Sequence, residues 1–197
     1  MTVAALAFGA GLAMFSTGAE AMGRETVQSF YSTLLSTMRS GPALRARGRY
    51  ARLEPVVRQV FDIPFMTRLA VGPEWASLTE VQRQQVTRAF ESYVAAIYAE
   101  RFDSYSGERL QVTGEQPSAG GTMITSQITK ANGESVNINY LMRQNGGAWQ
   151  IADVYLDGTI SELATRRSEF ASILRTQGIN GLIAMLNNKA ATLAARS

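Results

Sequence analysis

The stretch Val136-Asn137-Ile138-Asn139-Tyr140-Leu141-Met142-Arg143-Gln144-Asn145-Gly146-Gly147-Ala148-Trp149-Gln150-Ile151 alternates apolar and polar side chains up to an Asn-Gly pair, then starts again after it. In an extended chain Val136, Ile138, Tyr140 and Met142 share one face, and Asn137, Asn139 and Arg143 share the other. Asn145-Gly146 suits the positive φ angles of a tight hairpin turn, and Asn132-Gly133 offers a second such turn upstream. Pro117-Ser118-Ala119-Gly120-Gly121 marks a longer turn before that. Residues 110–156 therefore read as four consecutive strands of an antiparallel meander, apolar on one face and wet on the other.

Helical spacing flanks this sheet on both sides. Upstream, Val27, Phe30, Tyr31, Leu34, Leu35 and Met38 form one apolar stripe, which Gly41-Pro42 stops. A second helix is expected over residues 43–61. Asp62, two residues before Pro64, suits the N-cap of a short helix carrying Phe65, Met66 and Leu69, and Gly72-Pro73 ends it. Thr79 and Gln82 form a capping box for the longest helix of this section. Its stripe of Val86, Phe90, Tyr93, Val94, Ile97, Tyr98 and Phe102 is wider than a two-layer contact needs, so part of it is expected to line a cavity. Downstream, Leu163, Phe170, Ile173 and Leu174 mark a helix closed by Gly178. Another, with Leu182, Ile183, Leu186 and Leu193, starts near Asn180. The expected fold class is α+β: a four-stranded antiparallel meander wrapped on one side by five to six helices and enclosing an apolar cavity.

The chain has 197 residues, 46% of them hydrophobic and 18% charged, which suits a single globular domain. Nineteen basic residues stand against 16 acidic ones, a net charge of +3 without a basic run, so nucleic acid is a poor partner. There is neither cysteine nor histidine. Thiolate chemistry, disulfides and the commonest general base and metal ligand are absent with them. No phosphate loop, dinucleotide fingerprint or nucleophile elbow occurs. The expectation is no catalytic residue, no cofactor and no metal.

Residues 2–15 are uncharged and largely apolar, and Ala19-Glu20-Ala21 follows with small residues at the spacing that signal peptidase reads. As a helix such a stretch spans about 21 Å, short of a hydrocarbon core of about 30 Å. Residues 1–21 are expected to be a secretory signal, cut after Ala21, with residues 22–197 as one exported domain. No Lys or Arg precedes the apolar stretch, which departs from the usual basic start.

Asp153 and Asp157 are the one carboxylate pair to weigh. Four residues on a strand separate them by about 13 Å, too far to share a proton. Asp157-Gly158 suits a turn. Asp153 interrupts the face of Trp149, Ile151 and Tyr155. It needs either a bulge that turns it away or a buried partner. An isomerase-type site pairing Tyr140 with Asp153 in an apolar pocket is the enzyme alternative, and a ligand-free interaction module is another.

Several segments carry a resemblance. Val60-Phe61-Asp62, the run from Met66 to Gly72, Trp75, Leu78-Thr79-Glu80 with Gln82-Arg83-Gln84, and Tyr98 through Tyr105-Ser106-Gly107-Glu108 resemble the MlaC family of periplasmic phospholipid carriers, the toluene-tolerance proteins. So do Trp149-Gln150-Ile151-Ala152-Asp153-Val154, Arg166-Arg167-Ser168-Glu169-Phe170 and Gly178-Ile179-Asn180-Gly181-Leu182. Tyr155-Leu156-Asp157-Gly158-Thr159-Ile160-Ser161-Glu162-Leu163-Ala164 is closer to the hopanoid-associated HpnM branch. The similarity runs over about residues 24–190. It implies a carrier with a lipid-chain cavity, a phospholipid or hopanoid ligand, an inner-membrane lipid transporter and an outer-membrane acceptor or donor.

The apolar faces themselves nominate the lining. Phe65, Met66 and Leu69 come from the short helix and Phe90, Val94, Ile97 and Tyr98 from the long one. Ile124, Ile128, Val136, Ile138, Tyr140, Ile151 and Tyr155 come from the strands. At about 0.8 kcal/mol per buried methylene, a sixteen-carbon chain in water costs on the order of 12 kcal/mol, which such a wall removes. Met66, Met123 and Met142 can adapt to different chains. Arg68 and Arg101 are available for a headgroup at the mouth.

Overall fold

The computed structural model describes residues 17–196, with side-chain surroundings from residue 23 onward. The expected signal falls largely outside them. Helix α1 (Thr17–Arg39) leads into α2 (Gly41–Val60), α3 (Ile63–Val71), a 3-10 turn (Gly72–Ser77) and α4 (Glu80–Arg101). Strands β1 (Arg109–Ser118), β2 (Gly121–Thr129), β3 (Ser135–Asn145) and β4 (Ala148–Leu156) follow in meander order. A short β5 (Ile160–Ser161) then joins the β4 edge before α5 (Glu162–Ala195). No described helix is long and apolar enough to cross a membrane.

The sheet thus has five strands where four were expected. Two residues make the difference: Asp157 at φ 50° and Gly158 at φ 79° turn the chain so that Ile160 and Ser161 pair back onto Leu156 and Tyr155. So short a strand carries no alternation from which it could be read.

The expected caps are present. Asp62 accepts from the Phe65 amide at 3.2 Å, and Thr79 and Gln82 complete their capping box. Gly178, at φ 65°, breaks α5 where two helices were expected. Helix α2 has its own break at Arg45 (φ 53°).

Two bulges set the sheet's phase. The β1–β2 register shifts between Val112 and Gly114, and the β3–β4 register passes from Leu141↔Asp153 to Met142↔Ile151, leaving Ala152 as an extra residue on β4. Such a residue swaps the faces of everything beyond it. Ile151 therefore shares a face with Met142, whereas Val154 and Leu156 share it with Tyr140 and Ile138.

That face divides along its length. At one end Ile124, Met142 and Ile151 have no exposed surface. The chain linking α2 to α3 is pinned there, with the Asp62 amide donating to the Ile151 carbonyl at 2.9 Å. At the other end Ile128, Val136, Ile138 and Leu156 remain partly accessible. Helix α4 makes its main backbone approaches to α5, α2 and α3, so over this second half a hollow separates it from the strands.

Candidate functional site: an apolar cavity under the sheet

The hollow is a cavity of about 380 Å³, within the range of small-molecule pockets. It is partly open to solvent rather than enclosed. Phe90, Tyr93, Val94, Ile97 and Tyr98 of α4 form one wall, and Ile128, Val136, Ile138, Tyr140, Val154 and Leu156 of the sheet form the other. Phe61, Met66 and Leu163 close the inner part, while Phe102 and Leu110 extend the lining toward the loop after α4.

Nine of the fourteen nominated residues meet in this wall: Met66, Phe90, Val94, Ile97, Tyr98, Ile128, Val136, Ile138 and Tyr140. The other five stand elsewhere, each for a local reason. Phe65 and Leu69 belong to the stripe of α3 next to the buried one, which is Ile63, Met66, Thr67, Ala70 and Val71. The Phe65 ring instead receives the Arg143 guanidinium at 3.9 Å, and Leu69 is 37% exposed. Ile124 and Ile151 lie in the solid half of the sheet face. Tyr155 is turned to the opposite face by the Ala152 bulge, its hydroxyl against Asp153. Val154 and Leu156 take the wall positions that unbroken alternation would have given to Asp153 and Tyr155.

Met38, Phe61, Tyr93, Phe102, Leu110 and Leu163 also belong to the lining and were not nominated. Tyr93 and Phe102 are in the α4 stripe, so periodicity did flag them. Phe61 sits in a helix-to-helix link, where no period operates. Of the adaptable methionines, Met66 lines the cavity and Met142 is fully buried in the solid half.

Charged side chains join the lining: Arg101, Asp103 and Lys130 are exposed, and Glu108, Glu162 and Arg166 are partly buried. Arg166 bridges Glu162 and Glu169 at 2.9 Å each, and Lys130 pairs with Glu134 at 2.9 Å. Arg101 has no ion-pair partner among the described residues. Arg68 lies outside the lining, over the Phe65 ring.

Burial pushes the Tyr98 and Tyr140 hydroxyls up from the ordinary tyrosine value, and raises Tyr93 as well. All three remain protonated at neutral pH.

Asp153 does not reach this space. Its Oδ1 accepts from the Val154 amide at 2.7 Å and the Leu163 amide at 3.1 Å, and its Oδ2 accepts from the Ser161 hydroxyl at 2.6 Å. Both alternatives raised for it hold: a bulge takes it off the cavity face, and buried donors satisfy it. The pairing of Tyr140 with Asp153 that an isomerase-type site would need does not form. Among the described residues no group of three acidic side chains could hold a metal ion.

Fold and site together define a small α+β protein with a mainly apolar cavity beneath its sheet. The chain belongs to the MlaC protein family, whose sequence model matches residues 28–188. It is 25% identical over 125 residues to the intermembrane phospholipid transport system binding protein MlaC of Haemophilus influenzae, an alignment covering 61% of this chain and 58% of that protein. A phospholipid-binding protein from Ralstonia solanacearum, solved in complex with a phospholipid, shares the fold with a TM-score of 0.72 at 23% identity. That match covers 87% of this chain and 98% of the other.

Proposed function

We propose that this chain is a periplasmic lipid carrier, holding one or more acyl chains or a polycyclic body in its cavity and the headgroup at the rim. The observation that carries this reading is the hollow itself: α4 and the sheet present apolar walls to each other and leave about 380 Å³ between them. A protein that needed only its own core would close that space, since empty apolar volume is destabilising. Family membership and the relatives' roles in phospholipid binding and transport support the same reading.

Export through a leader at residues 1–21, cargo that is a phospholipid or a hopanoid, and affinity with the HpnM branch are parts of this proposal. So is exchange with an inner-membrane transporter and an outer-membrane acceptor or donor. The wall suits exchange. It has few polar anchors, so affinity comes from area, and the partners set the direction of transfer. Arg101, on the last turn of α4 and without an ion pair among the described residues, is the cavity-lining cation assigned to a headgroup phosphate.

Transfer between vesicles tests it. Donor vesicles of phosphatidylglycerol carrying a fluorescent analogue are mixed with unlabelled acceptors. The protein should accelerate transfer in proportion to its concentration, and Arg101→Glu should slow it several-fold. A rate equal to that of vesicles alone would refute the carrier reading.

A further inference from the structure

The 16 acidic residues of the chain are unevenly spread. Between Glu25 and Glu54 there is none, yet Arg39, Arg45, Arg47, Arg49 and Arg52 fall in that interval. From Phe170 to Ser197 there is none either, and Arg175, Lys189 and Arg196 lie there. The fold brings these two acid-free segments together by packing α2 on α5. Where they meet, Arg45 and Arg47 line a shallow groove with Arg196, beside Ala46, Ala191, Ala194 and Ala195. Arg196 also lines the adjoining groove between α4 and α5, next to Lys189.

The charges in this groove are not balanced locally. Among the described residues Arg45 and Arg47 have no ion pair, and Arg196 shares Glu100 at 3.3 Å. Lys189 has only the ring of Tyr93, at 5.8 Å. Four cations thus meet one carboxylate. Guanidiniums that line one groove repel each other, and an anion seated between them removes that repulsion. Arg45 also holds φ 53° and ψ 177°, close to a region that glycine alone enters freely. An arginine kept at a position where glycine is more stable points to a task for its guanidinium. Glu100 precedes Arg101, which lines the cavity, so groove and cavity share the end of α4.

We infer that this groove is a phosphate-binding site, in which Arg45, Arg47 and Arg196 take a phosphomonoester or phosphodiester through paired N–H donors. The anion belongs either to a lipid headgroup at a membrane surface or to a soluble phosphate ester. None of the three arginines enters the cavity lining. The site therefore goes beyond the carrier reading and stands whether or not the cavity holds lipid.

Amide NMR of the whole chain, titrated with glycerol 3-phosphate at low salt, tests it. Co-sedimentation with vesicles of phosphatidylcholine, with and without phosphatidylglycerol, is the second arm. Saturable shifts at residues 45–47 and 191–196 without sedimentation assign a soluble phosphate ester. Sedimentation with the phosphatidylglycerol vesicles alone assigns a headgroup. Whichever binding occurs should weaken at least about tenfold in the Arg45→Gln, Arg47→Gln variant. It should change less than about twofold in Arg88→Gln, Arg109→Gln, which removes the same charge from exposed positions elsewhere. Arg45→Gly should melt no lower than wild type and still weaken binding. If neither probe binds, if both double variants lose binding equally, or if Arg45→Gly binds as wild type does, the site is overturned.

Discussion

The Asp153 carboxylate accepts the backbone amide of Leu163 at 3.1 Å, which ties the bulged strand β4 to the first turn of α5. The same side chain takes the Val154 amide and the hydroxyl of Ser161, the α5 N-cap. An anion at this end of a helix also meets its dipole favourably. Asp153→Ala should therefore cost about 3 kcal/mol, because it leaves buried donors without an acceptor. Asp153→Asn should cost less, since its amide oxygen still accepts. Urea unfolding of both variants checks the ranking. Equal, negligible losses would remove Asp153 from the account of α5 placement.

Arg49 is a buried cation without a carboxylate partner among the described residues. Its guanidinium donates to the Ala99 carbonyl at 2.8 Å and the Gly41 carbonyl at 3.2 Å, holding the end of α4 to the start of α2. A Cβ on Gly41 would sit 1.8 Å from the Asp103 carbonyl oxygen, where only glycine fits. Asp103 is on the cavity rim. Gly41→Ala and Arg49→Met should each destabilise by about 2–3 kcal/mol. They should also speed hydrogen exchange of the amides in residues 99–105 more than in the sheet. Uniform exchange would show that this clamp does not shape the rim.

The buried tyrosines give a pH signature. Tyr31, Tyr98 and Tyr140 are each raised, foremost by burial. Their stabilising effect is complete below the unfolded value of about 10 and is lost as pH climbs from there toward the folded values. Just above pH 10 stability should fall by up to about 4 kcal/mol per pH unit from the three together. Each Tyr→Phe variant that folds should flatten that slope by about a third. A stability flat to pH 11 would contradict the burial of these hydroxyls.

Local chemistry with a fixed spacing was readable in the chain. The hairpins at Asn132-Gly133 and Asn145-Gly146, the Thr79–Gln82 box, the Asp62 cap and the Gly178 break all depend on residues within four positions of one another. The wall was readable where periodicity runs unbroken, as along α4 and from Val136 to Tyr140. It failed where the phase slips. Ala152 has no side chain that announces a bulge, so the reading places Tyr155 on the wall and misses Val154 and Leu156. On α3, Ile63-Pro64-Phe65-Met66-Thr67-Arg68-Leu69 is apolar on two adjacent stripes, and only packing against the rest of the chain chooses between them. Which half of the sheet face is solid and which hollow is a long-range matter. It turns on the Phe61–Ile151 bridge between segments 90 residues apart in sequence.

The central claim is that the space between α4 and β3 holds lipid. Native mass spectrometry of the chain purified from its own cells, beside Ile138→Glu and Val94→Glu, tests it most directly. Both positions line the cavity from opposite walls, and a carboxylate there cannot be left charged and dry. The wild-type chain should carry a lipid-sized adduct that both folded variants lack. A wild-type chain that is consistently bare, or folded variants that keep the adduct, would contradict it.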